Sequence, residues 1–500
     1  MSKKYKILSL FSGCGGMDLG FAQAGAKSLN LKSVEPGVNR PFENLFKIIW
    51  ANDIYAPSAF SYSENFGAQI YSDPKSLFEG TPRIFQGDVA KVFFEDAVNG
   101  EQIDVVIGGF PCQDFSLIRG KDKRLGVQVK RGRLYCHFVR ALAVLQPMAF
   151  VAENVKGLVS VNRGLTLEWI LNDFENLKQR WNEIEAEYKN NSLRETVFDS
   201  KLEGYKILFS KVANFKNLGI PQGRERLIII GLRKDLFNKL TSPEKIMQNF
   251  KKKIMQLNST FSKFPLTPIE TFKGNTISLL QNDYNKIIHE YDIDIKKVES
   301  KRKQYYFDKI WPKYKYEIWG DYYWINKNGN NTEHLFEEKE RKKIEREHKK
   351  ILIELDFYKK DIEEIGDLED NTNAIMPEGQ PVTERMKHIP VGENHEFVRD
   401  TKYHVTGLMS NIYKRVHPLK PSATIIARGG GGTWGYHYSQ NRQRLTNRER
   451  ARLQTFPDNF IFKGSRGQVR RQIGEAVPPL AAKKIAENLY VLLNLVKLKN

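Results

Sequence analysis

Cys112 stands in Gly108-Gly109-Phe110-Pro111-Cys112-Gln113-Asp114-Phe115-Ser116, directly after the apolar run 104–107. A cysteine at a strand's C-terminal end, after two glycines and a proline, lies where open α/β sheets bind ligands. The loop continues into Arg119, Lys121, Lys123 and Arg124. Such a positive setting favours the nucleophilic thiolate over a free thiol of pKa about 8.5. The other two cysteines, Cys14 and Cys136, fit the commoner role of small buried hydrophobes. Glu153, in Glu153-Asn154-Val155, follows the apolar run 149–152. A carboxyl emerging there can give or take a proton, although on its own an ordinary turn acid is the better reading. Arg224 and Arg226 precede the run 227–232 and are two residues apart. On a strand both would point to one face and could hold an anion or a base edge, with a surface ion pair as the bland alternative.

A second constellation lies at the N-terminus. Phe11-Ser12-Gly13-Cys14-Gly15-Gly16 follows the apolar run 5–11, and glycines in a strand-to-helix turn let the backbone approach a ligand closely. The dinucleotide pattern would need a glycine where Asp18 stands. An acid ending the second strand would hold a ribose. Glu35 has nearly the right spacing but no convincing strand before it, whereas Asp53 follows the run 48–51. Asp88, in Gln86-Gly87-Asp88-Val89, stands where a third strand ends. Three such strand ends in order imply an adenosyl ligand.

These residues need a scaffold, and the chain patterning supplies one. Short apolar runs at 5–11, 48–51, 104–107, 149–152 and 227–232 alternate with helix-like segments such as 134–145. That alternation predicts a mostly parallel, doubly wound α/β sheet. After about residue 235 the composition turns charged and aromatic. The stretch 333–365 reads as a long charged helix with a thin apolar stripe at Ile344, Ile351, Leu355 and Ile362, expected to be a solvated arm. The segment 311–324, WPKYKYEIWGDYYW, offers rings that could stack on a partner's rings, or else an aromatic-rich pair of core strands. The chain ends in an amphipathic helix after Pro478-Pro479.

The 500 residues allow two to four domains at roughly 100–200 residues each. With 79 Lys+Arg against 59 Asp+Glu the formal charge is +20, which favours a polyanionic partner through counterion release. Three cysteines and no CxxC pair exclude a disulfide framework and a zinc knuckle, and no metal is expected. No apolar run is long enough to span a bilayer.

In this order the segments YKILSLFSGCGGMDLGF, GGFPCQDFS, ENVKGL, QGRERLIIIG, RLTNRERARLQTFPDNF and QIGEAVPPL resemble the cytosine-C5 DNA methyltransferase family over roughly 5–235 and 405–495. The resemblance implies an α/β fold that binds S-adenosylmethionine, plus a smaller mixed target-recognition domain. The expected division is a catalytic domain at 1–235, a recognition domain at 236–443 and a return to the catalytic domain at 444–500. It further implies that Phe11 stacks on the adenine and that Gly13, Gly15 and Gly16 admit the methionine part. Asp53, with Ile54, takes the ribose, the spacing to Ala56, Phe60 and Asn65-Phe66 settling it over Glu35. Asp88, with Val89, meets the adenine edge, and Glu475 and Val477 complete the cofactor site. Cys112 becomes the nucleophile on C6 of a flipped cytosine, Glu153 holds N3, and Arg224 and Arg226 orient the base and neighbouring groups. DNA contacts are expected at Gln113, Ser116, Arg131, Thr424 and Arg428.

Two departures stand out. Glu475 occupies the place of a usual asparagine in the Gly-Asn-x-Val pattern, and an insertion lies between Lys27 and Lys47. The expected partner is double-stranded DNA, with a cognate restriction endonuclease possible, and a cytoplasmic, nucleoid-associated monomer with no membrane contact is expected. The competing readings are a tRNA cytosine methyltransferase, against which the large recognition region and Phe110 speak, and a catalytically idle DNA-binding relative, which would have lost residues present here. A nicotinamide-dependent dehydrogenase is disfavoured by the missing glycine.

Overall fold

The computed structural model describes residues 4–26, 45–74, 76, 80, 82–111, 133–188, 202–295, 298, 300–305, 317–326, 337–407, 409–427, 432–433, 435–442 and 444–497. Eight strands form one sheet: β1 (Tyr5–Leu10), β2 (Phe46–Asp53), β3 (Gln69–Tyr71), β4 (Arg83–Gln86), β5 (Val105–Gly108), β6 (Ala149–Val155), β7 (Tyr205–Asn214) and β8 (Glu225–Arg233). Their spatial order is β3-β4-β2-β1-β5-β6-β8-β7. The pairs from β3 through to β6 are parallel; β8 runs antiparallel to both β6 and β7.

Side-chain alternation explains why β1 is central. Tyr5 and Ile7 enter the core on one face and Leu8 and Leu10 the core on the other, all fully buried. A strand covered on both faces reads as a continuous apolar run. β8 repeats the pattern, with Ile228, Ile230 and Leu232 on one face and Leu227 and Ile229 on the other.

After β1 the chain moves outward to β2 and β4, then returns to place β5 on the opposite side of β1. The crevice at the strand ends between β1 and β5 is therefore a topological switch point, where such sheets bind ligands. Helices α1 (Gly16–Ala22), α2 (Ala56–Phe66), α3 (Arg133–Leu145) and α4 (Leu165–Glu175) make the crossovers. Beyond the sheet come α5 (Pro243–Met255), α6 (Glu338–Glu354), α7 (Asn447–Leu453), α8 (Arg466–Glu475) and α9 (Pro479–Lys497). α9 lies on α1 at close range: a Cβ on Gly20 would fall 2.4 Å from the Pro479 carbonyl oxygen.

Among the described residues, 238–442 hold helices, turns and isolated bridges, and many of their apolar residues share one core with Leu19 of α1 and with Ile48, Ala51 and Ile84 of the sheet. Leu236, just before this stretch, and Leu240, Phe250 and Ile254 at its start share another core with Ile228 and Ile230.

Two expectations are corrected. The charged helix is not a solvated arm. Ile351 and Leu352 of α6, and Leu355 just beyond it, are buried in the core of β1 and β8, Ile344 is buried in the adjoining core, and Glu354 pairs with buried Lys483 of α9 at 2.6 Å. The described part of the aromatic segment is neither an exposed stacking surface nor a strand pair. Residues Ile318–Asn326 form a helix with Trp319 and Tyr322 buried, while 311–316 lie outside the described residues.

Candidate active site and cofactor cradle

The strand ends at the switch point are tied to one another. After β1 the backbone turns through Phe11 (φ 54°), Gly13 (φ 57°) and Gly15 (φ 92°) into α1. Left-handed backbone suits glycine and strains a phenylalanine, and the strain falls at the residue expected to face adenine. A Cβ on Gly15 would strike the Phe66 ring at 2.4 Å, and one on Gly16 the Val477 carbonyl oxygen at 2.5 Å. Val477 is thus packed beneath the turn. A Cβ on Gly13, by contrast, would meet nothing within 4 Å, so that backbone borders open space.

Asp53 clasps this turn. Its carboxylate accepts from Gly13 N and from Tyr55 N, each at 2.8 Å. Burial pushes its pKa up to about 6 against the pull of those two amides. Next to it, Ile54 leaves 68% of its surface exposed, an apolar side chain held open at a strand end. Asp88 caps the short turn after β4 by accepting from Ala90 N at 2.9 Å, and Val89 is buried in the core. Glu475 ends α8 half-exposed and paired with Arg471 at 3.0 Å, while the Arg471 guanidinium stacks on Tyr55, 4.0 Å from the ring centre.

The second centre sits across β5, β6 and β8. Glu153 is buried, and Arg226 Nε lies 2.9 Å from its Oε1. Burial raises the Glu153 pKa and outweighs the two arginines, Arg226 and Arg224, that act to lower it. A proton therefore stays on this carboxyl closer to neutrality than on an ordinary glutamate. A Cβ on Gly109 would sit 3.0 Å from Glu153 Oε2, so the root of the cysteine loop passes directly over the carboxylate. Asn154 fixes that root by donating from Nδ2 to the Phe110 carbonyl at 2.9 Å. Cys112, Gln113, Ser116, Arg131 and Arg428 lie outside the described residues, as do Glu35 and most of the 27–47 insertion. Cys14 and Cys136 are both buried, and burial drives the Cys14 thiol up.

The described hydrogen-bond partners of Arg224 are backbone carbonyls. It precedes β8, is buried, and spends its guanidinium on backbone: Nη1 donates to Ile425 O at 3.3 Å and Nη2 to Gly474 O and Ala476 O at 2.9 and 3.0 Å. Burial and the neighbouring Arg226 charge lower its pKa to about 9. Gln222 was not singled out from the sequence, yet it is fully buried and acts beside it. It donates to Leu453 O and Gln454 Oε1 and accepts from Ile425 N. Thr424 donates to Gly223 O at 3.2 Å. The strand end carrying Arg226 is thereby stitched to 422–426 and to the end of α8. Asp18, buried and bonded to Tyr62 and Ser9, was also missed as a support of the glycine turn.

Residues 5–491 match the family described as C-5 cytosine-specific DNA methylase. The chain belongs to that family. Among curated proteins, the DNA (cytosine-5-)-methyltransferase M.ApeKI of Aeropyrum pernix is 43% identical over 99% of this chain and 100% of its own. Type II methyltransferase M.NgoFVII of Neisseria gonorrhoeae is 31% identical over 98% of this chain and 87% of its own. A crystal structure of a putative prophage-encoded DNA modification methyltransferase from E. coli aligns with a TM-score of 0.50 at 22% identity, covering 98% of this chain and 100% of that one. At that identity it supports the fold alone. This methylase is thus a DNA (cytosine-5-)-methyltransferase dependent on S-adenosylmethionine. Its cradle fits that cofactor: open space borders Gly13, a carboxylate ends β2, and an exposed apolar side chain lies next to that carboxylate. No helix among the described residues is long and apolar enough to cross a membrane, and none of their side chains cluster as a metal site.

Proposed function

We propose that this methylase modifies a cytosine flipped out of duplex DNA, with Cys112 as nucleophile and Glu153 and Arg226 as the pair that receives the base. The observation carrying this reading is the buried Glu153–Arg226 pair at 2.9 Å, lying against Gly109 three residues before Cys112. Cytosine C5 is too weak a nucleophile to take a methyl group unaided. Addition of the Cys112 thiolate forms an S–C6 bond and moves electron density toward C5 and N3. Glu153, protonated or sharing a proton with N3, stabilises the resulting enamine, and Arg226 holds the carboxyl in place. Bound S-adenosylmethionine supplies an electrophilic methyl group to C5. Loss of the C5 proton and breakage of the S–C6 bond restore the aromatic base and the thiolate. Flipping the base costs a few kcal/mol of stacking and pairing, and the basic stretch 119–133 would close over DNA and exclude water.

In the cofactor cradle, Phe11 and Ile54 would flank the adenine and Asp53 would take the ribose. Asp88 and the Val89 backbone would meet the adenine edge, and Gly13, Gly15, Gly16, Glu475 and Val477 would bound the methionine end. The catalytic body comprises 1–235 and 444–500, with 236–443 forming the recognition domain. Gln113, Ser116, Arg131, Thr424 and Arg428 touch DNA. Relatives named as Type II methyltransferases support a restriction-modification role, with a cognate endonuclease cutting the same site and the methylase working in the cytoplasm as a monomer.

The test is incubation with unmethylated genomic DNA and methyl-labelled S-adenosylmethionine, followed by nucleoside mass spectrometry and bisulfite sequencing. Labelled 5-methylcytosine at one recurring sequence is the expected result. Label in tRNA and none in DNA would overturn the substrate assignment.

A further inference from the structure

The last turn of α8 is laid against the glycine turn of the cofactor cradle. Cys14 Sγ donates to Gln472 O at 3.8 Å, and a Cβ on Gly16 would lie 3.1 Å from Ala476 Cβ. Gln472 is itself buried, accepts from Ser61 Oγ at 2.6 Å and donates to Lys463 O at 2.8 Å. On this pinned turn Arg471 Nε donates to Glu475 Oε1 at 3.0 Å, and the guanidinium stacks on Tyr55, two residues beyond Asp53. Both charges reach Asp53: burial does most to raise its pKa, Glu475 adds to the rise and Arg471 works against it.

The pair is poorly placed to brace its own helix. Glu475 is the last residue of α8, where a carboxylate meets the negative end of the helix dipole. Arginine four residues before glutamate is also the weaker order for such a pair. Its binding capacity is largely unspent. A guanidinium has five donors, and of those on Arg471 only the Nε–H is bonded to a described residue. Glu475 Oε2 accepts from none of them. The two side chains keep 28% and 44% of their surface exposed, and the Gly13 backbone that Asp53 clasps borders open space.

We propose that Arg471 and Glu475 receive the amino-acid end of S-adenosylmethionine, Arg471 taking its carboxylate and Glu475 its ammonium group. A guanidinium fork fits a carboxylate with two parallel bonds, and a carboxylate accepts strongly from an ammonium group. The opposed charges of the pair thus match the opposed charges of the ligand. The assignment rests on the placement of the methionine end at Glu475 and adds Arg471 to it. It also gives a task to the glutamate that stands in place of the usual asparagine: an amide could neither balance Arg471 nor pair with a cation.

Calorimetric binding to the full chain tests this with three ligands. They are S-adenosylmethionine, its decarboxylated analogue, which lacks the carboxylate, and methylthioadenosine, which lacks the whole amino-acid end. Arg471→Gln should weaken S-adenosylmethionine by roughly tenfold or more, the worth of a hydrogen bond to a charged group, and leave the other two no weaker. Glu475→Gln should weaken the decarboxylated analogue, which keeps the ammonium group, by a similar factor and spare methylthioadenosine. Arg471→Lys keeps the charge without the fork and should lose less S-adenosylmethionine affinity than Arg471→Gln. Unchanged S-adenosylmethionine affinity in Arg471→Gln overturns the assignment, as does a decarboxylated analogue indifferent to Glu475→Gln. If Arg471→Gln loses methylthioadenosine as well, Arg471→Lys decides: a loss confined to S-adenosylmethionine supports the proposal, and any other pattern overturns it. Wild type that binds S-adenosylmethionine no tighter than methylthioadenosine sinks the placement of the methionine end along with it.

Discussion

Glu153 and Arg226 are diagonal neighbours across the antiparallel pair of β6 and β8: Glu153 stands opposite Ile228, and Arg226 opposite Val155. Two-residue offsets on paired strands share a face, so the sheet register itself delivers the guanidinium to the carboxylate at 2.9 Å. Burial holds the Glu153 pKa up even with that partner. Replacing Glu153 by Gln keeps the shape and removes the titratable proton. Single-turnover methyl transfer should fall by roughly 10²–10⁴-fold, the usual worth of such a group, with S-adenosylmethionine affinity unchanged. Titration calorimetry and rapid quench read the two quantities, and a wild-type rate would remove Glu153 from the chemistry.

Arg224 and Arg226 should separate cleanly under mutation. Arg224 ties three carbonyls from two distant segments with a planar fork that lysine cannot reproduce. Arg224→Lys should cost roughly 2–4 kcal/mol of stability, from lost hydrogen bonds to a charged, buried donor. Arg226→Lys should leave the urea midpoint close to wild type and lower the methylation rate. Equal stability losses in the two variants would contradict the division of labour.

The arginine pair also shows what the sequence could and could not convey. Strands 5–11 and 227–232 are legible because β1 and β8 are buried on both faces and so read as unbroken apolar runs. The cofactor turn is legible because its glycines sit at positive φ or against Phe66 and Val477. Parity counting failed at Arg224 for a local reason. β8 begins at Glu225, and Arg224 N donates back to Gln222 O at 2.9 Å, so the two arginines do not share one strand's alternation. β7 was missed because it is an edge strand whose Lys206, Ile207 and Lys211 leave it only half covered.

Deep inside, His348 of α6 sets a pH dependence. Its Nδ1 lies 2.8 Å from Glu270 Oε1 and its Nε2 3.0 Å from the Phe264 carbonyl. Two acceptors require two donors, so the ring is an imidazolium. Burial opposes that charge, but the Glu270 charge and the hydrogen bonds outweigh it and raise the pKa. A raised histidine pKa means that the native state binds the proton more tightly. The stabilisation is thus complete below the ordinary value of about 6.5 and is lost as pH rises through the raised one. Urea midpoints of wild type should fall relative to those of His348→Gln as pH climbs from 6 to 9. Parallel curves would show that the ring carries no charge.

The placement of α6 makes a prediction opposite to that for a solvated arm. Its lysines face water, but Ile351 presses against Gly219, where a Cβ would lie 3.1 Å from Ile351 Cγ1. Gly219 closes the short helical turn after β7, three residues before Gln222, so α6 props the loop that leads to Arg226. Deleting 338–354 should therefore abolish the cooperative folding transition, where a detached arm would leave transfer intact. A gentler probe keeps the helix. Ile351→Ala should cost about 2–5 kcal/mol, the range for large-to-small changes in a packed core, and should lower methylation more than an exposed change such as Lys342→Ala does. If the two substitutions are equally silent in melting temperature and in turnover, α6 does not prop the catalytic sheet.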